Sequence, residues 1–322
     1  MYTIGVDLGG TQIRAGLFDP AGKLLVKAEA LTLANEGAEA VIGRMKESIY
    51  EVIRHVEGSI SGNIAGIGIG SPGPLNPFTG VVLSPSTLPG MIDIPLRTIM
   101  TDEFRVPVYV NNDANAAALG EWLYGSGQHT NNLLYVTIST GIGAGIVVDG
   151  KLLLGEQGSA GEIGHMIIDP NGPLCSCGNR GCWEACASGT GIVERTKQKL
   201  ERCDETQPYS RLQLCRTQEL TAKDVFAAAM RYDALAMEII EETRMYLGIG
   251  LINLINLYNP QKIVFGGGVS KAGDFLLKQP IEMAQQRSLL GMRDVQFSMA
   301  ALGENVGLYG AAALVSYEQR NK

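Results

Sequence analysis

Four side chains able to hold a metal fall within eighteen residues of this sequence: His165, Cys175, Cys177 and Cys182, in the stretch GEIGHMIIDPNGPLCSCGNRGCWE that runs from Gly161 to Glu184. A Cys3His set closes a tetrahedral structural Zn2+ site. The loop is rich in Gly and Pro and too poor in apolar residues to fold on packing alone. One ion tying four side chains would fix it, because metal-binding free energy becomes folding free energy. The other reading is a group of inert buried thiols, which the crowding of four ligands disfavours. Two carboxylates, Glu162 and Glu184, bracket the stretch.

Two glycine turns carry a second kind of chemistry. Asp7-Leu8-Gly9-Gly10-Thr11 joins two apolar runs, and Ser139-Thr140-Gly141-Ile142-Gly143-Ala144-Gly145 follows a third. Bare backbone amides of this kind can face a phosphate, with Asp7 placed to hold a cation nearby. Either turn alone reads equally as an ordinary hairpin. Their recurrence roughly 130 residues apart suggests a duplicated domain facing itself across a cleft, with nucleotide phosphates between the loops. A third glycine turn, Gly266-Gly267-Gly268, admits close backbone contact and is assigned to the adenosine end of a nucleotide. Gly145 to Lys151 mimics the start of a P-loop, but Leu152 stands where the magnesium-binding hydroxyl should be and the context is a hairpin.

Asn112 and Asp113 end the apolar run VPVYVNND and precede the alanine-rich ANAAALGEWLYG. They therefore sit at a strand C-terminus and helix N-terminus, where ligands of open α/β sheets gather. Asp113 has two compatible readings, a helix N-cap and a catalytic carboxylate. The stretch 71–91 holds five prolines and reads as a long structureless loop, part of a small-molecule pocket.

The elements that must position these groups alternate. Strands are expected over 2–7, 13–18, 24–30, 64–70, 106–113, 132–138, in 146–155 as two strands about Asp149-Gly150, in 262–270, and near 294–301. Helices are expected over 37–56, after 113, after 187, over 220–230 with Thr221 and Asp224 as a capping box, over 233–257 up to Asn259-Pro260, and at the C-terminus. Residues 202–218 read as irregular.

At 322 residues the chain suits two domains. A net charge of -7 and the lack of any basic run argue against nucleic acid as a partner. No secretory signal is visible and the most apolar segment, 248–260, is interrupted by Asn253 and Asn256, so a cytoplasmic protein with no membrane partner is expected. Six cysteines then point to metal or free thiols, with no role evident for Cys186, Cys203 and Cys215. His55 reads as a surface residue.

Together, D-L-G-G-T at 7–11, N-D-A-N at 112–115, S-T-G-I-G-A-G at 139–145, E-I-G-H at 162–165, C-S-C-G-N-R-G-C-W-E at 175–184 and G-G-G-V-S at 266–270 resemble the ROK family (repressors, ORFs, kinases) of sugar kinases over the full chain. The resemblance implies an α/β, two-domain actin/hexokinase-like (ribonuclease H-like) fold with a central cleft and a structural zinc loop. An N-terminal domain of residues 1–120 would be joined by a C-terminal helix 306–322. A larger domain of residues 121–305 would carry the zinc loop and a dimer interface. The implied reaction moves the γ-phosphate of ATP to the 6-hydroxyl of a hexose. Asp113 would be general base, with Gly73, Thr87, Asn112, Glu162, His165 and Glu184 around the sugar, and His165 serving both zinc and substrate. Asp7 would help hold Mg2+, while Gly9, Gly10, Thr11, Thr140, Gly141 and Gly143 cradle phosphates and Gly267 and Gly268 meet the adenosine. Domain closure would exclude water. A homodimer or higher homo-oligomer is the family habit.

Segments such as LGIGLINLINLYNP are similar to bacterial glucokinases, and glucose is the favoured sugar. Where glucose-using relatives often show Pro-Asn-Leu and then an aromatic, this chain has Ser86-Thr87-Leu88-Pro89-Gly90-Met91, closer to N-acylmannosamine kinases. An N-acetylmannosamine or other N-acetylhexosamine kinase is therefore the alternative. A sugar-responsive repressor is disfavoured, because Asp7 lies too near the start for a helix-turn-helix module to precede it and the balance is acidic.

Overall fold

A computed structural model describes residues 1–56, 63–202 and 220–320. Of the irregular stretch expected over 202–218, Arg202 ends a helix and the rest, with Cys203 and Cys215, lies outside the described residues, as do the last two residues of the expected terminal helix.

The first sheet is built from β1 (Tyr2–Leu8), β2 (Gln12–Phe18), β3 (Leu24–Leu31), β4 (Ile64–Ser71) and β7 (Val108–Asn112), in the order β3-β2-β1-β4-β7. β1, β2 and β3 pair antiparallel, and β4 and β7 add in parallel. This follows from connection length, since tight hairpins join antiparallel strands and parallel ones need a crossover. Here the crossover is α1 (Ala38–Ile53), whose Val41, Met45, Ile49 and Val52 recur at helical spacing and are wholly buried. The other face is covered by α3 (Asp113–Tyr124) and α9 (Val306–Arg320), which pack on each other, with α9 also on β1 and β4. Gly5 and Gly68 make that approach possible: a methyl at either would overlap the carbonyl of Leu308 or Ala311 on α9.

The stretch 71–91 is not structureless. It contains a small hairpin, β5 (Leu75–Asn76) with β6 (Val81–Val82), closed by Asn76 Oδ1 accepting from the amides of Phe78 and Thr79. Arg97, on α2 (Leu96–Phe104), donates to the carbonyls of Pro77 and Phe78. Side chain to backbone bonds thus order a segment whose prolines alone suggested none.

The second sheet runs β10-β9-β8-β11-β12 with β8 (Leu133–Ile138), β9 (Ile142–Val148), β10 (Lys151–Leu152), β11 (Lys262–Gly266) and β12 (Gln296–Met299). Around it come α4 (Trp183–Ala187), α5 (Gly189–Arg202), α6 (Ala222–Ala229), α7 (Ala234–Tyr258) and α8 (Asp274–Arg287). The expected capping box is present: Thr221 Oγ1 accepts from the Asp224 amide while Asp224 Oδ2 accepts from the Thr221 amide at 2.9 Å. α7 ends at Asn259, which takes a left-handed conformation (φ 43°) before Pro260. Asn tolerates that region better than most residues. Among the described residues no helix is long and apolar enough to cross a membrane.

By internal packing the chain divides into two units, Met1–Tyr135 with Gly145–Gly161 and Met299–Lys322, and Val136–Ala144 with Glu162–Ser298. A cut at residue 120 would pass through α3. Glu121, fully buried, instead holds the next segment to the first unit, accepting from the amides of Ser126 (2.7 Å), Ala301 (3.1 Å) and Leu302 (2.9 Å).

Candidate active site and metal centre

In the first unit, the Gly9-Gly10 turn is closed by the Gly9 amide donating to the Gln12 carbonyl at 2.9 Å. Thr32 braces it from β3's end, its Oγ1 donating to the Gly9 carbonyl at 2.6 Å. Asp7 sits across from Arg14 in the β1–β2 register, and Arg14 donates to Asp7 Oδ2 through both Nε (3.2 Å) and Nη2. The same guanidinium reaches the Glu304 carbonyl at 2.6 Å. Residues Thr11 and Thr87 are exposed. A methyl on Gly10 would come within 2.9 Å of Thr87, so the turn and the proline-rich segment lie side by side.

Asn112 rather than Asp113 caps α3. Its side-chain oxygen accepts from the Ala114 amide at 2.9 Å, while Asp113 occupies the first helical position and is exposed. Asp113 Oδ1 also accepts from that amide, at 2.7 Å. Asn111, buried at the end of β7, fixes the corner: its Oδ1 accepts from the Asn112 amide at 2.8 Å and from Asn115 Nδ2 at 3.1 Å. Gly73 lies against this corner, a methyl there falling 3.4 Å from Asn112 Nδ2. Gly73, Asn112 and Asp113 are therefore brought together in the first unit.

In the second unit the expected seven-residue turn is shorter. It covers Ser139 to Gly141, the Ser139 amide donating to the Gly141 carbonyl at 2.9 Å, and Gly143 lies inside β9. β9 begins at Ile142 directly after this turn and is buried continuously from Ala144 to Val147, so the strand claims Gly143 and Gly145. Glu184 is the neighbour of this turn: its Oε2 accepts from the Ile142 amide at 3.0 Å, and any side chain on Gly141 would overlap that carboxylate. Thr140 and Gly268 line a cavity of about 880 Å3, with Phe226 and Met230 as apolar wall and Lys197 and Glu194 among its polar groups. Gly267 is held in the left-handed region (φ 89°), and the Val269 amide donates to the Ile138 carbonyl at 2.9 Å. Glu162 is exposed, immediately before a short 3-10 turn that ends on His165.

The four metal-binding atoms of His165, Cys175, Cys177 and Cys182 all lie within 4.8 Å of one another. Cys175 Sγ is 3.7 Å from His165 Nδ1 and Cys177 Sγ is 3.6 Å from Cys182 Sγ. Tetrahedral Zn2+ with Zn–S near 2.3 Å would set such edges at about 3.5 to 3.8 Å, so the residues present fit that ion. The apolar support is local too: Trp183, on the helix that follows Cys182, is fully buried against Gly250 of α7. A hydrogen bond at Asn179 lowers the Cys177 thiol to about 7, whereas burial pushes Cys182 up to about 12. Ligating thiols must both be deprotonated, so a cation would remove that contrast and release protons on binding. Cys186 is buried, with its thiol pushed up to about 11, and has no place among the ligands.

Three features escaped the sequence reading: the Arg14 clamp on Asp7, the Glu121 clamp, and the apolar wall of the large cavity. The first had a signal, because the two-glycine hairpin fixes a register that puts residues 7 and 14 opposite each other.

The chain matches the ROK family from residue 3 to residue 318. It is 38% identical over 322 residues to a glucokinase of Halalkalibacterium halodurans, covering 99% of this chain and 96% of that one. A ROK hexokinase from Thermus thermophilus superposes with a TM-score of 0.87 at 34% identity, over 100% of both chains. A ROK family glucokinase from Streptomyces griseus, solved in complex with glucose and AMPPNP, gives 0.76 at 34% identity over 98% of this chain and 99% of that one. With the family pattern spanning nearly every residue, the chain belongs to the ROK family and has its α/β actin/hexokinase-like fold.

Proposed function

We propose that the protein is an ATP-dependent glucose kinase, moving the γ-phosphoryl group of ATP to the sugar 6-hydroxyl. The observation that carries this reading is the corner at Asn112: because Asn112 caps α3, Asp113 stands exposed at the first helical position beside Gly73. Full-length likeness to an enzyme solved with glucose and AMPPNP supports the substrate pair.

Phosphoryl transfer asks mainly for alignment and charge neutralisation. Asp113 accepts the proton of the 6-hydroxyl as its oxygen attacks the γ-phosphorus and the bond to ADP breaks. Gly73, Thr87, Asn112, Glu162, His165 and Glu184 hold the sugar hydroxyls. Gly9, Gly10 and Thr11 present backbone donors to the phosphates from the first unit; Thr140 and Gly141, with Gly143 behind them, do so from the second. The 880 Å3 cavity takes the adenosine, with Gly267 and Gly268 in close contact. Asp7 suits Mg2+, which keeps several waters and takes one or two carboxylates plus substrate phosphates; bound there it would neutralise phosphate charge.

His165, Cys175, Cys177 and Cys182 would hold Zn2+, which supplies rigidity to the loop carrying the sugar contacts and no step of the reaction. Three thiol ligands need a reducing compartment, which favours the cytoplasm. Exposed Leu257, Leu289 and Leu290, with the Leu289 amide donating to Asn256 Oδ1, support a homodimer through the second unit, which carries the zinc loop.

Asp113→Asn is the test. The variant should fold and bind glucose normally while kcat falls by at least about 10²–10⁴-fold, the usual worth of a general base. Turnover within a few-fold of the native protein would remove Asp113 from that role. The exposed Ser86-Thr87 pair beside Gly10 sustains the second reading, an N-acetylhexosamine kinase.

A further inference from the structure

Behind the metal loop lies a second cavity, of about 430 Å3, that the proposed reaction does not use. Its lining is polar and cationic: Arg180 from the loop, Arg195 and Lys199 one helical turn apart on α5, and a single carboxylate, Asp169. Three positive groups and one negative line it, and Arg180 is the one of the three cations with no carboxylate partner among the described residues. Asn171 and Gln198 add side-chain amides.

The site is built rather than incidental. Arg195 is 6% exposed, its Nη1 donating to Glu242 Oε2 at 2.7 Å and its Nη2 to Thr243 Oγ1. Its plane lies over the Tyr246 ring, 5.5 Å from the centroid, and Tyr246 donates its hydroxyl to Asp169 Oδ2 at 3.1 Å. Burial and that acceptor push the Tyr246 phenol up to about 12, so it remains a donor. Lys199 is held at 2.6 Å by both Glu238 and Glu242, neither of which lines the cavity. These acids orient the cations from outside. Arg195 Nε is a buried donor without a partner among the described residues. Arg180, exposed, makes a 3.5 Å contact with the Gly172 carbonyl and no other side-chain hydrogen bond among the described residues.

We propose that this cavity binds a small phosphorylated polyol, a phosphomonoester on a hydroxylated carbon chain. Guanidinium and ammonium groups are the side chains that recognise a phosphate, and the Asp169 carboxylate, Asn171 and Gln198 suit hydroxyls. The volume exceeds what a bare phosphate needs and falls within the range of small-ligand sites. Occupancy would tie the metal loop at Arg180 and Asp169 to α5 and α7, so the ligand would stabilise that loop.

The test is calorimetric titration of the zinc-loaded full chain, with glucose and AMPPNP present in saturating amounts so that any site they occupy is blocked. The probes are inorganic phosphate and glucose 6-phosphate, and no turnover is involved. Glucose 6-phosphate should bind one per chain, several-fold more tightly than inorganic phosphate, and Arg180→Ala should weaken it about tenfold. Arg180→Lys, which keeps the charge, should recover part of the loss. Absence of saturable binding, equal binding by Arg180→Ala, or no preference for the sugar phosphate over bare phosphate would each overturn the proposal.

Discussion

The two glycine turns look alike in sequence and are held in different ways. In the first, the carboxylate beside the turn is Asp7, seven residues from the Arg14 that clamps it, within one hairpin. In the second, the carboxylate is Glu184, forty-two residues from the Ile142 amide it accepts, and it arrives on the segment that follows the metal ligands. The first turn carries its support with it. The second depends on a distant loop that has little apolar packing of its own, and so on the ion that the loop can hold.

Removing the metal should separate the two most sharply. Cys177→Ser exposes no core, since Cys177 is the exposed cysteine of the set, yet it deletes one of four ligands. The variant should lose its roughly stoichiometric zinc, and melt several degrees lower, at about 2–4 °C per kcal/mol for a domain of this size. KM for glucose should rise at least about tenfold through Glu184 and His165. Metal analysis, a melting curve and glucose kinetics on one preparation check it; a metal-free protein of unchanged stability and KM would show that the second turn needs no such support.

A smaller effect should come from the turn itself. Gly141→Ala puts a methyl onto the Glu184 carboxylate, so the Ile142 bond must break or the turn must shift. Loss of kcat/KM by about ten- to a hundredfold, roughly 1.4–2.7 kcal/mol, is expected with zinc retained. An unaltered kcat/KM would mean that Glu184 and the turn are not coupled. Arg14→Ala should do least. It leaves the Gly9–Gln12 closure and the Thr32 brace in place, so the Mg2+ concentration for half-maximal rate should rise a few-fold while KM for glucose stays put. A change in glucose KM larger than that in Mg2+ requirement would refute the assignment of Asp7.

The same contrast governs what could be read from sequence. Local rules reached the hairpins, the capping box at Thr221 and Asp224, and the stop at Asn259, because neighbours in sequence satisfy those backbone groups. The Cys3His set was legible because its ligands are close together and chemically distinctive. The cap of α3 was misplaced by one residue, since Asn and Asp are equivalent caps and only the backbone at Asn112, extended at ψ 145°, decides between them. Gly143 was drawn into a turn by composition, although strand pairing claims it. Glu121 could not be found at all: its acceptors' partners are amides up to 181 residues away. Nor could the order within 71–91, which rests on Arg97.

The most direct measurement is ATP-dependent phosphorylation, with Mg2+ present, of glucose, mannose, N-acetylglucosamine and N-acetylmannosamine, compared by kcat/KM. The account predicts a clear preference for glucose, with Ser86 and Thr87 a tolerated variation in the segment beside Gly10. A preference for an N-acetylated sugar would contradict it and make that pair the specificity determinant, and failure to phosphorylate any of the four would contradict the kinase reading itself.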